Sequence, residues 1–166
     1  MLRTFTALLL ACVIAGAGNG VGLAEERPSL QELLETKISL QIERDSLENS
    51  VAALVGKVRK EKRPLEIKII GKDLQLEGIT KNQSIRNFAH DDETIADILT
   101  ALVIEASPIR AVKDAQDPAL KLIWTIGNDP KDPEKEIVLI TTREGAKKRG
   151  DKIPKRFVIP IRRGEA

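Results

Sequence analysis

Few residues in this chain are equipped for chemistry. A single histidine, His90, stands beside three carboxylates, Asp91, Asp92 and Glu93. Histidine next to carboxylate is the pairing used for general acid–base work and for metal ligation. Consecutive residues converge poorly on one ion, however, and no second cluster supplies further ligands. A loop residue followed by Asp91 or Asp92 as a helix cap accounts for the same four residues. Ser84 precedes His90 by six positions and could join it and an aspartate in a Ser-His-Asp set, but no nucleophile-elbow sequence surrounds it.

Other candidates are weaker. Asn128-Asp129-Pro130-Lys131-Asp132 is rich in oxygen but lacks the spacing, the glycine and the terminal glutamate of a calcium loop, and so reads as a hairpin loop. The one cysteine is Cys12, close to the N-terminus. The body of the chain therefore has neither a disulfide nor a thiolate nucleophile. Carboxylate pairs could form in many places among 25 acidic residues and identify nothing. No phosphate-cradling Gly-Lys-Ser/Thr loop occurs. No catalytic residue, cofactor-binding residue or metal ligand is assigned. A small carboxylate-dependent hydrolase or ligand-binding enzyme centred on His90 is the alternative reading.

The remaining charged feature is a basic tract, Lys147, Lys148, Arg149, Lys152, Lys155 and Arg156. Such a run meets an anionic polymer, a lipid surface or an acidic partner, or is simply a solvated face. The formal net charge is only +2, and the aromatics are three phenylalanines and one tryptophan. Both facts speak against nucleic acid, which rewards a strong basic field or stacking surfaces. Arg149-Gly150-Asp151 spells a tripeptide of cell-adhesion ligands, a match short enough to arise by chance.

The segments that would position these residues begin with an export signal. Arg3 gives a positive start, residues 7–17 are apolar, and Gly22-Leu23-Ala24 places small residues for cleavage before Glu25. A membrane role would come only through an uncleaved N-terminus or one lipidated at Cys12, where Leu9-Leu10-Ala11-Cys12 resembles a lipobox. The chain is thus expected in the periplasm, in the cell envelope or outside the cell.

Next comes a leucine at every seventh position: Leu33, Leu40, Leu47 and Leu54. Leu30, Lys37, Arg44, Val51 and Val58 fall at the a positions of the same heptads, with the leucines at d. Ser29 with Glu32 forms a capping box before them, and Pro64 closes the stretch. The pattern predicts a coiled-coil helix whose interface is Leu30, Leu33, Leu40, Leu47, Val51, Leu54 and Val58. It would join copies of the chain or dock on an envelope protein. Lys37 and Arg44 at a positions suit a parallel dimer, where their stems can snorkel. Ile38 and Ile42 lie off the seam. The other reading of the stretch is an amphipathic helix folded back on its own domain.

Residues 64–166 suit a small α/β domain. Leu65 to Ile69 alternates as a strand, and Leu74 to Glu77 as its hairpin partner after the Gly71-Lys72-Asp73 turn. Ile85 to Phe88 suits a short strand. Ile95, Ile98, Leu99, Leu102, Val103 and Ala106 mark a buried helix that Pro108 ends. Leu120 to Ile126 alternates, Ile137 to Ile140 is an unbroken apolar run, and residues 143–149 suit a helical turn. Phe157, Ile159 and Ile161 alternate as a last edge strand.

The run Asp92 to Leu102, then Leu120 to Trp124, then Glu136 to Thr142, is similar to half of the short N-terminal (STN-like) domain of secretins and TonB-dependent receptors. The resemblance implies a small α/β module of the bacterial envelope that makes protein–protein contacts and is not an enzyme. It covers about a third of the chain and carries over no binding residue. The expected organisation is a signal peptide at 1–24, a coiled-coil helix at 25–63 and the α/β domain at 64–166. The fold class is α+β: the coil, then one buried helix on a mostly antiparallel sheet.

Overall fold

A computed structural model describes residues 28–60, 64–112 and 114–160. The export signal, Cys12 and Ile161 lie outside the described residues.

The capping box forms. Ser29 Oγ accepts the Glu32 amide at 3.2 Å, and the Glu32 carboxylate accepts the Ser29 amide at 2.8 Å. The helix it starts, α1 (Leu30–Leu34), lasts five residues. Strand β1 follows at Lys37–Ser46, and helix α2 at Leu47–Lys60. The expected coil is therefore broken by ten residues of strand. The physical reason is visible in the two isoleucines that did not fit the seam. Ile38, Leu40 and Ile42 recur at every second position, the period of a strand with one face buried. Leu40 satisfies that period and the heptad alike, so the heptad count survived across a segment that is not helical.

The seam residues do not wait for a partner. Leu33, Leu40, Leu47, Val51, Leu54 and Val58 are buried in the chain's own core, and Leu30 packs against it. Along α2 the buried stripe Leu47, Ser50, Val51, Leu54 and Val58 is that of an amphipathic helix packed on its own domain. The boundary expected at residue 63 likewise separates nothing, because one cluster runs from Leu33 to Phe157.

β1 pairs antiparallel with β3 (Ser84–Thr94) in a two-stranded sheet, with Lys37 opposite Thr94 and Ser46 opposite Ser84. β3 is longer than the expected 85–88 strand because β1 offers it a partner along its length. Helix α4 (Ile95–Glu105) follows as expected, with Ile95, Ile98, Leu99, Leu102 and Val103 buried against β3 and the strand at Leu122–Asp129, β4.

The second sheet has three strands in the order β2 (Ile67–Ile69), β5 (Asp132–Thr142), β4. Its centre is β5, whose Ile137 to Ile140 run is buried as the sequence indicates. β4 is antiparallel to it and β2 parallel. That parallel pairing explains a second correction. The expected hairpin strand at 74–77 is instead covered by α3 (Gly71–Leu76), since β2 takes β5 as its neighbour and the chain leaves the sheet beside it. Helix α5 (Arg143–Arg149) forms where expected and ends on Gly150 at φ 73°. Among the described residues of the expected last strand, 157–160, no strand forms. Lys155–Phe157 is a 3₁₀ turn that drives Phe157 into the core, edge-on to Trp124 at 5.9 Å. Among the described residues the fold is mixed α+β with two small sheets, and no helix is long and apolar enough to cross a membrane.

Candidate functional site

His90-Asp91-Asp92-Glu93 belongs to β3, not to a loop or a helix cap. The cap of α4 is Thr94, whose hydroxyl accepts the Asp97 amide at 3.1 Å. Each member of the cluster has a structural bond. His90 Nδ1 lies 2.8 Å from Glu93 Oε2, and its ring rests 4.3 Å from that of Phe88. The Ser39 hydroxyl donates to Asp91 and accepts the Asp92 amide at 3.2 Å, fixing an irregularity where Asp92 has φ 52°. Lys37 Nζ holds the Asp92 carboxylate at 2.9 Å. Ser84 accepts a hydrogen bond from Arg86 and sits at the far end of the strand, roughly 20 Å away at about 3.3 Å per residue. The structure does not bring a Ser-His-Asp set together there. Among the described residues no group of three or more His, Cys, Asp or Glu side chains could hold a metal ion.

Four of the six residues of the basic tract, Lys148, Arg149, Lys152 and Arg156, are engaged in ion pairs. Lys148 approaches Glu144 at 3.9 Å, and Lys152 meets Glu136 at 2.6 Å. Arg156 binds Asp97 at 2.7 Å with its guanidinium 5.7 Å from the Trp124 ring centre. Arg149 is the most engaged. It pairs with Asp73, reaches Asp151 at 2.7 Å and donates to Thr141 Oγ1 at 2.9 Å. Burial pushes the Asp73 carboxyl up, but hydrogen bonds from Arg149 and Thr141 outweigh it and hold the carboxyl below its usual range. Burial likewise lowers Arg149, and Asp151 and Asp73 more than reverse that. The Arg-Gly-Asp tripeptide is thus closed on itself by its own ion pair. Lys147 and Lys155 make no ion pair among the described residues.

Sequence reasoning missed a half-buried anchor. The Arg143 guanidinium donates to the Leu120 carbonyl at 2.7 Å, to the Ala115 carbonyl at 2.8 Å and to the Phe157 carbonyl. Those contacts fasten the loop before β4 and the last turn to the start of α5. Burial lowers its pKa, against the pull of Asp117.

Two clefts of about 550 Å³ are open among the described residues: a mostly polar one where Ser84 and Arg86 of β3 face Glu105 of α4 and Arg110 after it, and a mostly apolar one between α2 and the outer edge of β2. In the apolar cleft Val51, Ala52 and Val55 form one wall, Ile67 to Ile70 the other, with Pro130 and Lys131 of the β4–β5 turn at one side. The Val138 amide donates to Glu66 at 3.1 Å and the Ile70 amide to Ile140 at 2.9 Å. In a parallel pair these bonds assign residues 66, 68 and 70 to the β5 side. The N–H and C=O of Ile67 and Ile69 therefore face outward, and they have no partner among the described residues. By contrast, the outer edge of β4 is closed in part by Lys152, which exchanges backbone bonds with Ile126 at 2.9 and 3.2 Å. The alternation at 65–69 marked a half-buried strand; which side would lack a neighbour was not written there.

Asp129, read from sequence as part of a hairpin loop, ends β4 and steadies this cleft. Its carboxylate receives Lys68 Nζ and the Lys131 amide, and those two bonds, Lys68 first, hold it below the usual carboxylate range. Comparison with family models, with curated proteins and with solved structures gave no match.

Proposed function

We propose that this chain is an exported, non-enzymatic protein of the bacterial envelope that works by binding another protein through its α/β body. The observation that carries the reading is the open β2 edge: four outward backbone groups beside an apolar wall. Unpaired backbone polar groups flanked by apolar surface favour a polypeptide partner, which satisfies both at once. The STN-like resemblance points to the same class of role. The residues suited to chemistry are held in structural bonds, with His90 on Glu93 and Arg149 between Asp73 and Asp151. No cofactor enters this reading. Self-association through the heptad leucines does not, because those side chains fill the core.

The test is a photo-reactive residue at Val55 in the protein produced by its own cells, with the exposed Gln116, which lines neither cleft, as the control position. The reading expects a protein adduct from Val55, in the exported fraction, and none from Gln116. Absence of the Val55 adduct, or its confinement to the cytoplasm, would overturn it.

A further inference from the structure

We propose that the β2 edge takes up an extended, acidic segment of a partner polypeptide as an added strand. This rests on the protein-binding reading and names the occupant.

The backbone argument comes first. Ile67 and Ile69 each turn an N–H and a C=O away from β5, so an incoming strand gains up to two bonds at each residue. Edge strands are usually blunted by a lysine reaching over them or by shortness. β2 is short, at three residues, but its lysine is withdrawn: Lys68 Nζ is held by Asp129 at 2.5 and 2.6 Å. A segment of about five residues spans such an edge at about 3.3 Å each. Its alternate side chains would meet Val51, Ala52 and Val55 on one face, which selects for apolar residues at every second position.

Charge identifies the rest of the segment. Lys131 lines the cleft and makes no ion pair among the described residues. Glu48, Ala52 and Val55 share one stripe of α2, and helical spacing continues it to Arg59, also without an ion pair among the described residues. The acid in the lining, Glu48, is already taken by Lys81 at 3.2 Å. The unanswered charge at this edge is positive, which attracts carboxylates and repels a basic strand. The same charges disfavour a second copy of this chain, since pairing two β2 edges would bring Lys131 and Arg59 toward their own equivalents.

Two short peptides test the proposal on the exported chain. One alternates valine and glutamate; the other alternates valine and lysine. Nuclear magnetic resonance is expected to show the acidic peptide binding at least tenfold more tightly, with slowed exchange of the Ile67 and Ile69 amides. The double variant Lys131→Glu, Arg59→Glu changes two exposed side chains and is expected to reverse the preference without lowering the unfolding temperature. Equal binding of the two peptides, or unchanged exchange at Ile67 and Ile69, overturns the proposal. So does a dimer in sedimentation that protects the same amides, which would make the occupant a second copy. If the peptides fail while the Val55 adduct forms, the acidic strand is refuted and protein binding stands; if the adduct also fails, both fall.

Discussion

Lys68 grips both carboxylate oxygens of Asp129, at 2.5 and 2.6 Å, linking the two outer strands of the three-stranded sheet. The bond ties the floor of the cleft to its side, because Pro130 and Lys131 follow Asp129 directly. Lys68→Met keeps the stem and removes the charge. Its expected effect is faster exchange of the Lys131 amide, which donates to Asp129 at 2.8 Å, with the sheet otherwise intact. Unaltered exchange at Lys131 would show that the turn is held by something else.

Acid should weaken the fold through three carboxylates. Asp73, Asp97 and Asp129 all have lowered pKa values in the folded chain. For Asp97 the leading cause is the Thr94 hydroxyl, with Arg156 adding to it against burial. A carboxyl lowered by folding contributes its full stability above its unfolded value, near 4, and loses it as pH falls through the folded value. The urea midpoint is therefore expected to be level from neutrality to about pH 5 and to drop below about pH 4. In the Asp73→Asn protein the midpoint starts lower and the drop is smaller. A midpoint that stays level to about pH 2 would contradict this.

The heptad leucines give a clear choice between assembly and packing. Leu47 and Leu54 are wholly buried in the chain's own core. Either one changed to Ala is expected to cost about 2–5 kcal/mol in equilibrium unfolding. The solution mass of the folded fraction should not change. A loss of mass with little loss of stability would restore the interface that the seven-residue spacing suggests.

Arg149 cannot be replaced by another cation. It serves Asp73, Asp151 and Thr141 with a planar fork, and Lys offers a single ammonium. Arg149→Lys should cost about 1.5–3 kcal/mol, as a charged hydrogen-bond set is left incomplete. Gly145→Ala attacks the same cluster from the other side, since a Cβ there would run into the Asp73 carboxylate. Both variants are expected to lower the unfolding temperature, read by circular dichroism.

Thr94→Ala removes the cap of α4 while leaving β3 its backbone. About 1 kcal/mol of stability is the expected loss. Asp91→Ala and Asp92→Ala, the caps suggested by sequence, should spare the start of α4, because their carboxylates serve Ser39 and Lys37.

Local patterns decided several elements outright. The capping box at Ser29 and Glu32, the apolar face of α4, the buried run of β5 and the absence of any cysteine from the body follow from neighbouring residues alone. At these places the local pattern and the packing agree. Residues 37–46 carry two periods, a heptad through Leu40 and an alternation through Ile38, Leu40 and Ile42, and only a partner could choose between them. β3 made that choice by pairing across the ribbon. The same holds for 71–76, for the turn at Phe157 and for the open side of β2. Each depends on which distant strand or carbonyl satisfies a backbone group, and that is fixed by hydrogen bonds between residues far apart in the chain, which no local spacing records.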